Sequence, residues 1–165
     1  MKLSLTSPRK LRLVPVLAVL AALAAGAAGT AAFAHQRAED RAAAVRQSLA
    51  AATPAAKAIF SYDYRTFDTS VANGKLFVTG SFAEEYAQTT AALKAVAVKE
   101  QAVVLAEVSA AGVVSASDGR VELLLYLNQY RRNVNTGGEK VDQNRVVLAM
   151  VPVDGEWKVA QATAV

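Results

Sequence analysis

Apolar and polar positions fall into three regimes along this chain. Residues 13–34 read LVPVLAVLAALAAGAAGTAAFA without a single charge. At 1.5 Å per residue that run makes a helix of about 33 Å, enough to cross a hydrocarbon core of about 30 Å. Residues 36–62 are Ala-rich, and Val45, Leu49, Ala52, Ala56 and Ile59 recur at helical period. Thr53-Pro54 sits inside that stripe, and a threonine cap followed by a proline suited to a first helical turn predicts a break or kink. Asn73-Gly74 marks a turn. Ser81-Phe82-Ala83-Glu84 has capping-box spacing and opens a second helix running to about Val98, with Phe82, Tyr86, Thr89, Leu93 and Val96 on one face.

After Glu100 the period changes from helical to extended. Segments 102–115, 121–132, 143–153 and 156–163 are rich in Val, Leu and Tyr, and Ser117-Asp118-Gly119, Thr136-Gly137-Gly138 and Asp154-Gly155 separate them. Strands joined by turns this short are antiparallel neighbours. Helices followed by a four-stranded meander predict an α+β domain with helices packed on one face of a curved sheet. Val121, Leu123, Leu125 and Leu127 make one face of the second strand continuously apolar, so the helices should cover it. Tyr126 and Asn128 lie on the other face with Glu122, Leu124 and Tyr130, a mixed surface open to solvent or a partner.

Charge changes the picture at the N-terminus. Lys2, Arg9, Lys10 and Arg12 precede the apolar run, and no acidic residue occurs before Glu39. Under the positive-inside rule residues 1–12 are a cytoplasmic segment, residues 13–34 a membrane anchor, and everything from His35 onward extracytoplasmic. Residues 35–61 are then a juxtamembrane helix, and residues 62–165 the remainder of the exported domain. A second reading stays open, because Ala32-Phe33-Ala34 is an A-x-A triplet and a basic segment, an apolar segment and A-x-A together also describe a cleaved signal peptide. Of the 18 Lys and Arg, those four lie before the run, which leaves fourteen against fourteen Asp and Glu. A domain without net charge offers no basis for binding a nucleic-acid backbone.

Candidate chemistry is sparse. The chain has no cysteine and one histidine, His35, at the end of the apolar run. Thiol nucleophiles, thiolate metal sites and imidazole acid–base chemistry are therefore absent from the domain, and no cofactor is expected. Tyr62-Asp63-Tyr64-Arg65-Thr66-Phe67-Asp68 is the most distinctive polar stretch. Its carboxylates and phenols suit a pocket with a buried acid as base, or equally a helix end whose aromatics pack on the sheet. Trp157, two residues after Asp154-Gly155, reads as a core plug on the concave side of the sheet. Tyr62, Asp63, Tyr64, Tyr126, Asn128 and Trp157 are thus the residues to watch for a pocket or a partner contact, and none is assigned a catalytic, cofactor or metal role.

The order of these pieces resembles a known family. An N-terminal span and an Ala-rich helix lead to Tyr62-Asp63-Tyr64-Arg65-Thr66 and Thr79-Gly80-Ser81-Phe82. A meander carrying Asn128-Gln129 follows, and Asp154-Gly155-Glu156-Trp157-Lys158-Val159 stands near the end. Over nearly the whole chain this is similar to the mammalian-cell-entry (Mce) associated membrane proteins of bacteria. The resemblance implies a nuclear-transport-factor-2-like cone outside the membrane and a non-catalytic accessory role beside Mce lipid-import complexes. Partners would be the lipid bilayer and Mce subunits or sister accessory proteins. Pro54 departs from the family pattern, in which that helix is continuous. The alternative is an exported small-ligand binder, or an isomerase-like or cyclase-like enzyme, on the same cone.

Overall fold

The computed structural model describes the backbone of residues 10–165 and the side chains from Phe33 onward. The chain divides between Asp40 and Arg41 into two units. The predicted span at 13–34 lies, apart from Phe33 and Ala34, outside the described side chains, as do the basic residues before it. Among the described residues no helix is long and apolar enough to cross a membrane. In the first unit the described side chains are a short helical stretch in which Arg37 stacks 4.4 Å from the Phe33 ring centroid and His35 meets Glu39 at 3.2 Å.

The first helix, α1 (Lys10–Phe60), contributes its last five turns to the second unit. There follow a short strand β1 (Tyr62–Asp63), a 3₁₀ turn (Tyr64–Thr66), α2 (Phe67–Lys75) and α3 (Gly80–Lys99). Four long strands complete the chain: β2 (Val103–Ser117), β3 (Arg120–Arg132), β4 (Lys140–Val153) and β5 (Glu156–Ala164). The sheet is antiparallel throughout, in the order β1-β2-β3-β4-β5. The α+β class and the meander hold, and helices on an antiparallel sheet are the arrangement that the resemblance implies. The strand number does not hold: the described residues form five strands, not four. Tyr62–Asp63 was hidden because two extended residues leave no period, and they pair with Val103 and Val104 before the chain turns back into helix.

The core follows from β3. Val121, Leu123 and Leu125 are wholly buried and Leu127 is 2% exposed, as the alternation of a strand covered on one face requires. Leu148, Met150 and Val159 continue that inward face across β4 and β5. Ala52, Ala55, Ala56 and Ile59 of α1 and Phe82 and Tyr86 of α3 join it in one cluster. The alanines bury little area each, but they let α1 lie close on the bulky leucines below.

Four local expectations are corrected. The helix does not break at Thr53-Pro54, since α1 runs on to Phe60. A proline inside a helix costs roughly 3 kcal/mol. Here Ala55, Ala56 and Ile59 beyond it are buried, so packing decides against local propensity. The capping box at Ser81 does not form either, for α3 starts at Gly80 with Thr79 as N-cap and no side-chain cap bond. Its start is set by a tertiary contact: Thr79 N donates to Val159 O at 2.9 Å and Val159 N to Phe77 O at 2.7 Å. Lastly, the buried face of α3 carries Thr90 and Ala97, whereas Thr89 and Val96 are exposed. Asn73-Gly74, read as a turn, lies in the final turn of α2.

Candidate functional site

The residues marked by sequence occupy three separate places in the second unit. Tyr62, Asp63 and Tyr64 stand together where β1 passes into the 3₁₀ turn. Asp63 has extended backbone, and its carboxylate caps that turn by accepting from Arg65 N at 2.9 Å. The Arg65 side chain clasps the same carboxylate, with Nε 2.9 Å from Oδ1 and Nη2 2.5 Å from Oδ2. These bonds from Arg65 favour the ionised form and hold the Asp63 carboxyl below the usual carboxylate range, against a smaller opposing effect of burial. A general base needs the opposite, a carboxylate with free lone pairs and a raised affinity for protons. Asp63 is a cap, and Glu107 lies exposed on β2.

The lowered value has a stability consequence with a definite sign. Asp63 is more acidic folded than unfolded, so its stabilising contribution is complete above the ordinary carboxylate range and disappears as pH falls through its lowered folded value. The melting-temperature gap between wild type and Asp63→Asn is therefore expected to be widest near neutrality and to close in acid. Thermal melts at several pH values check it; a gap that widens in acid would contradict the cap.

Tyr62 turns inward. Its ring meets Phe67 edge-on at 5.5 Å, and burial pushes its phenol up, with Arg131 pulling down and Glu100 pushing up by less. It lines a cleft of about 360 Å³ between the end of α1, α2, α3 and the inner face of the sheet. Ile59, Phe67, Phe82, Tyr86 and Leu93 supply apolar walls, and Gln129, Thr90 and Glu85 the polar ones. Most of that polarity is already used: Thr90 Oγ1 donates to Tyr86 O at 2.7 Å, and Gln129 accepts from Asn144 at 2.7 Å. Burial alone raises the Tyr86 phenol. Sequence reasoning missed this cleft. The stripe through Phe82 and Tyr86 marked the wall, but nothing local shows that two packed elements leave a gap.

Tyr126 and Asn128 lie together on the outer face of the sheet, opposite the helices. Tyr126 is 45% exposed and pairs with Arg145, and Asn128 pairs with Gln143, whose side-chain amide reaches it at 3.5 Å. With Ser109 they line a shallow hollow that no helix covers among the described residues. Trp157 departs from the expected core plug. It is half-buried at the rim of the main core, and its indole N–H donates to Gln47 Oε1 at 3.1 Å, tying β5 to α1. Among the described residues no group of three or more His, Cys, Asp or Glu is placed to hold a metal ion.

No protein-family model matches the chain. Two curated relatives, the uncharacterized proteins Rv1362c and MT1407 of Mycobacterium tuberculosis, are each 26% identical over 123 residues, 74% of this chain and 56% of theirs. The chain thus spans about half the length of the curated relatives it matches. Among solved structures, CagV, a VirB8 homologue of the type IV secretion system from Helicobacter pylori, aligns with a TM-score of 0.58 and 11% identity over 70% of this chain and 93% of that one. The periplasmic domain of DotI aligns with a TM-score of 0.54 and 18% identity over 71% and 91%. At such identities the likeness is one of fold alone.

Proposed function

We propose that this chain is a non-catalytic, membrane-anchored accessory protein whose domain works by contact on the outer side of a membrane. The observation that carries this is the contrast between its two surfaces. The Asp63 carboxylate is spent on a cap, whereas the outer sheet face presents Tyr126, Asn128, Gln143 and Arg145 with no element over them among the described residues. Contact needs a stable exposed surface, and aromatic and arginine side chains on it are suited to a protein partner. The segments are a cytoplasmic stretch at 1–12, an anchor at 13–34, a juxtamembrane helix at 35–61 and the rest of the domain at 62–165. CagV is a VirB8 homologue of a type IV secretion system and DotI has a periplasmic domain, which supports a complex-bound, extracytoplasmic role here. The sequence motifs favour an Mce-type lipid-import complex as that assembly, with Mce subunits or sister accessory proteins as partners.

A second reading, small-ligand binding, draws on the cleft beside Tyr62; its one carboxylate, Glu85, is exposed rather than buried as an enzymatic acid would be. The two readings separate in cells. Tyr126→Ala with Asn128→Ala should leave folded protein in the membrane and reduce the partners that copurify with it in detergent by several-fold. Asp63→Asn should lower lipid uptake no further than any loss of folded protein explains. An Asp63→Asn protein that is folded, in its complex and inactive would sink the contact reading.

A further inference from the structure

Among the described residues the sheet has one long unpaired edge. β1 pairs only with Val103 and Val104 of β2, and the Ser61 hydroxyl accepts from Ala106 N at 2.9 Å, so the outer edge of β2 is occupied up to Ala106. From 107 to 117 no other backbone lies against it among the described residues. Such a row of free N–H and C=O groups is a template for another strand, and proteins usually blunt it with lysine, proline or inward charge. Lysine, proline and inward charge are absent from this edge, whose stretch EVSAAGVVSAS contains one charge, Glu107, at its very start, and two β-bulges are its only blunting device. Val113 is 44% and Val114 56% exposed, large values for valines in a strand. Bulges at Ser109 and Val114 leave Ala110 to Val113 as a regular run paired to β3.

We infer that this edge pairs with the same edge of a second copy of the chain, antiparallel and two-fold symmetric about Gly112. The choice of occupant rests on charge and volume. Antiparallel pairing about Gly112 sets Val113 opposite the partner's Ala111, a large side chain against a small one within the regular run between the bulges. Glu107 lies five residues from Gly112, so the two glutamates fall at opposite ends of the paired stretch, roughly 33 Å apart at about 3.3 Å per residue, and do not repel. Like charges directly opposite would oppose pairing, and this register contains none. The contact is isologous, so it closes at two copies and continues the sheet from one subunit into the other. It uses the β2 edge, not the Tyr126 face, and so leaves the proposed partner surface open.

The absence of cysteine makes the test clean, because one introduced thiol is the only one. A Cβ at Gly112 meets no atom within 4 Å, so Gly112→Cys should fold as wild type. On the two-fold axis its Cα stands about 4.5–5.5 Å from its mate, inside the range that a disulfide spans. The full chain purified in detergent should sediment as a dimer, and oxidised Gly112→Cys should run mostly as a covalent dimer on a non-reducing gel. Val141→Cys, 51% exposed on β4 and two strands away from β2, should stay largely uncrosslinked. Val113→Lys with Val114→Lys should shift the chain to monomer with its melting temperature nearly unchanged. A wild-type monomer at tens of micromolar, or crosslinking at Gly112→Cys no greater than at Val141→Cys, overturns the inference. A lysine variant that stays dimeric overturns it too, and places the contact elsewhere.

Discussion

Leu125→Ala is expected to cost the domain about 2–5 kcal/mol, as the truncation of a fully enclosed leucine does. Leu125 is 0% exposed at the middle of β3, between Ala111 on β2 and Val146 on β4, with helices closing the face above it. Neither neighbouring strand can move in to fill the space without breaking its own ladder, so a cavity should remain. Domains of this size are stable by about 5–15 kcal/mol, which makes the loss a large share of the whole. The melting temperature should fall on the order of 10 °C. Val141→Ala, on a residue 51% exposed on β4, is the matching control and should stay within about 0.5 kcal/mol. Equal losses for the two would mean that β3 does not carry the core.

Gly74→Ala tests a contact that runs against helix propensity. In the last turn of a helix, alanine ordinarily gains about 0.5–1 kcal/mol over glycine. Gly74 is buried, however, and a Cβ there would collide with the Tyr86 hydroxyl and stand 2.7 Å from its Cζ and 3.1 Å from Ala58 O. Tyr86 is itself 7% exposed and held in the core, so its ring has little room to retreat. Overpacking of this kind costs about 1–3 kcal/mol, and the net sign should be destabilising. Tyr86→Phe removes the oxygen but not Cζ, so it should recover part of the loss and the two changes should be less than additive. Chemical denaturation of the wild type and the three variants reads this directly. A Gly74→Ala protein more stable than wild type would show that α2 and α3 do not approach this closely.

Much of the β half was legible because strand alternation and turn chemistry are local. Val121 to Leu127 alternate with polar or mixed residues, and that pattern alone assigns their faces. Asp154-Gly155 brings positive φ at both positions, 50° and 84°, which is the backbone of a tight hairpin between β4 and β5. The α1 stripe was legible for the same reason: Ala52, Ala56 and Ile59 are buried as their spacing requires.

What the amino-acid sequence determined by itself was therefore the class, the meander, the inward face of β3 and the neutrality of everything beyond the basic N-terminal segment. Only the tertiary structure decided where helices begin and pass, because those choices depend on distant partners. Val159 sets the start of α3 where a capping box was expected, and the burial of Ile59 carries α1 through Pro54. The fate of Asp63 was likewise beyond local reading. A carboxylate beside two tyrosines suits a base or a cap equally well. The choice was made by the backbone angle that lets Arg65 reach both its oxygens, and that angle follows from two residues of β1 pairing with Val103 and Val104 some forty positions later.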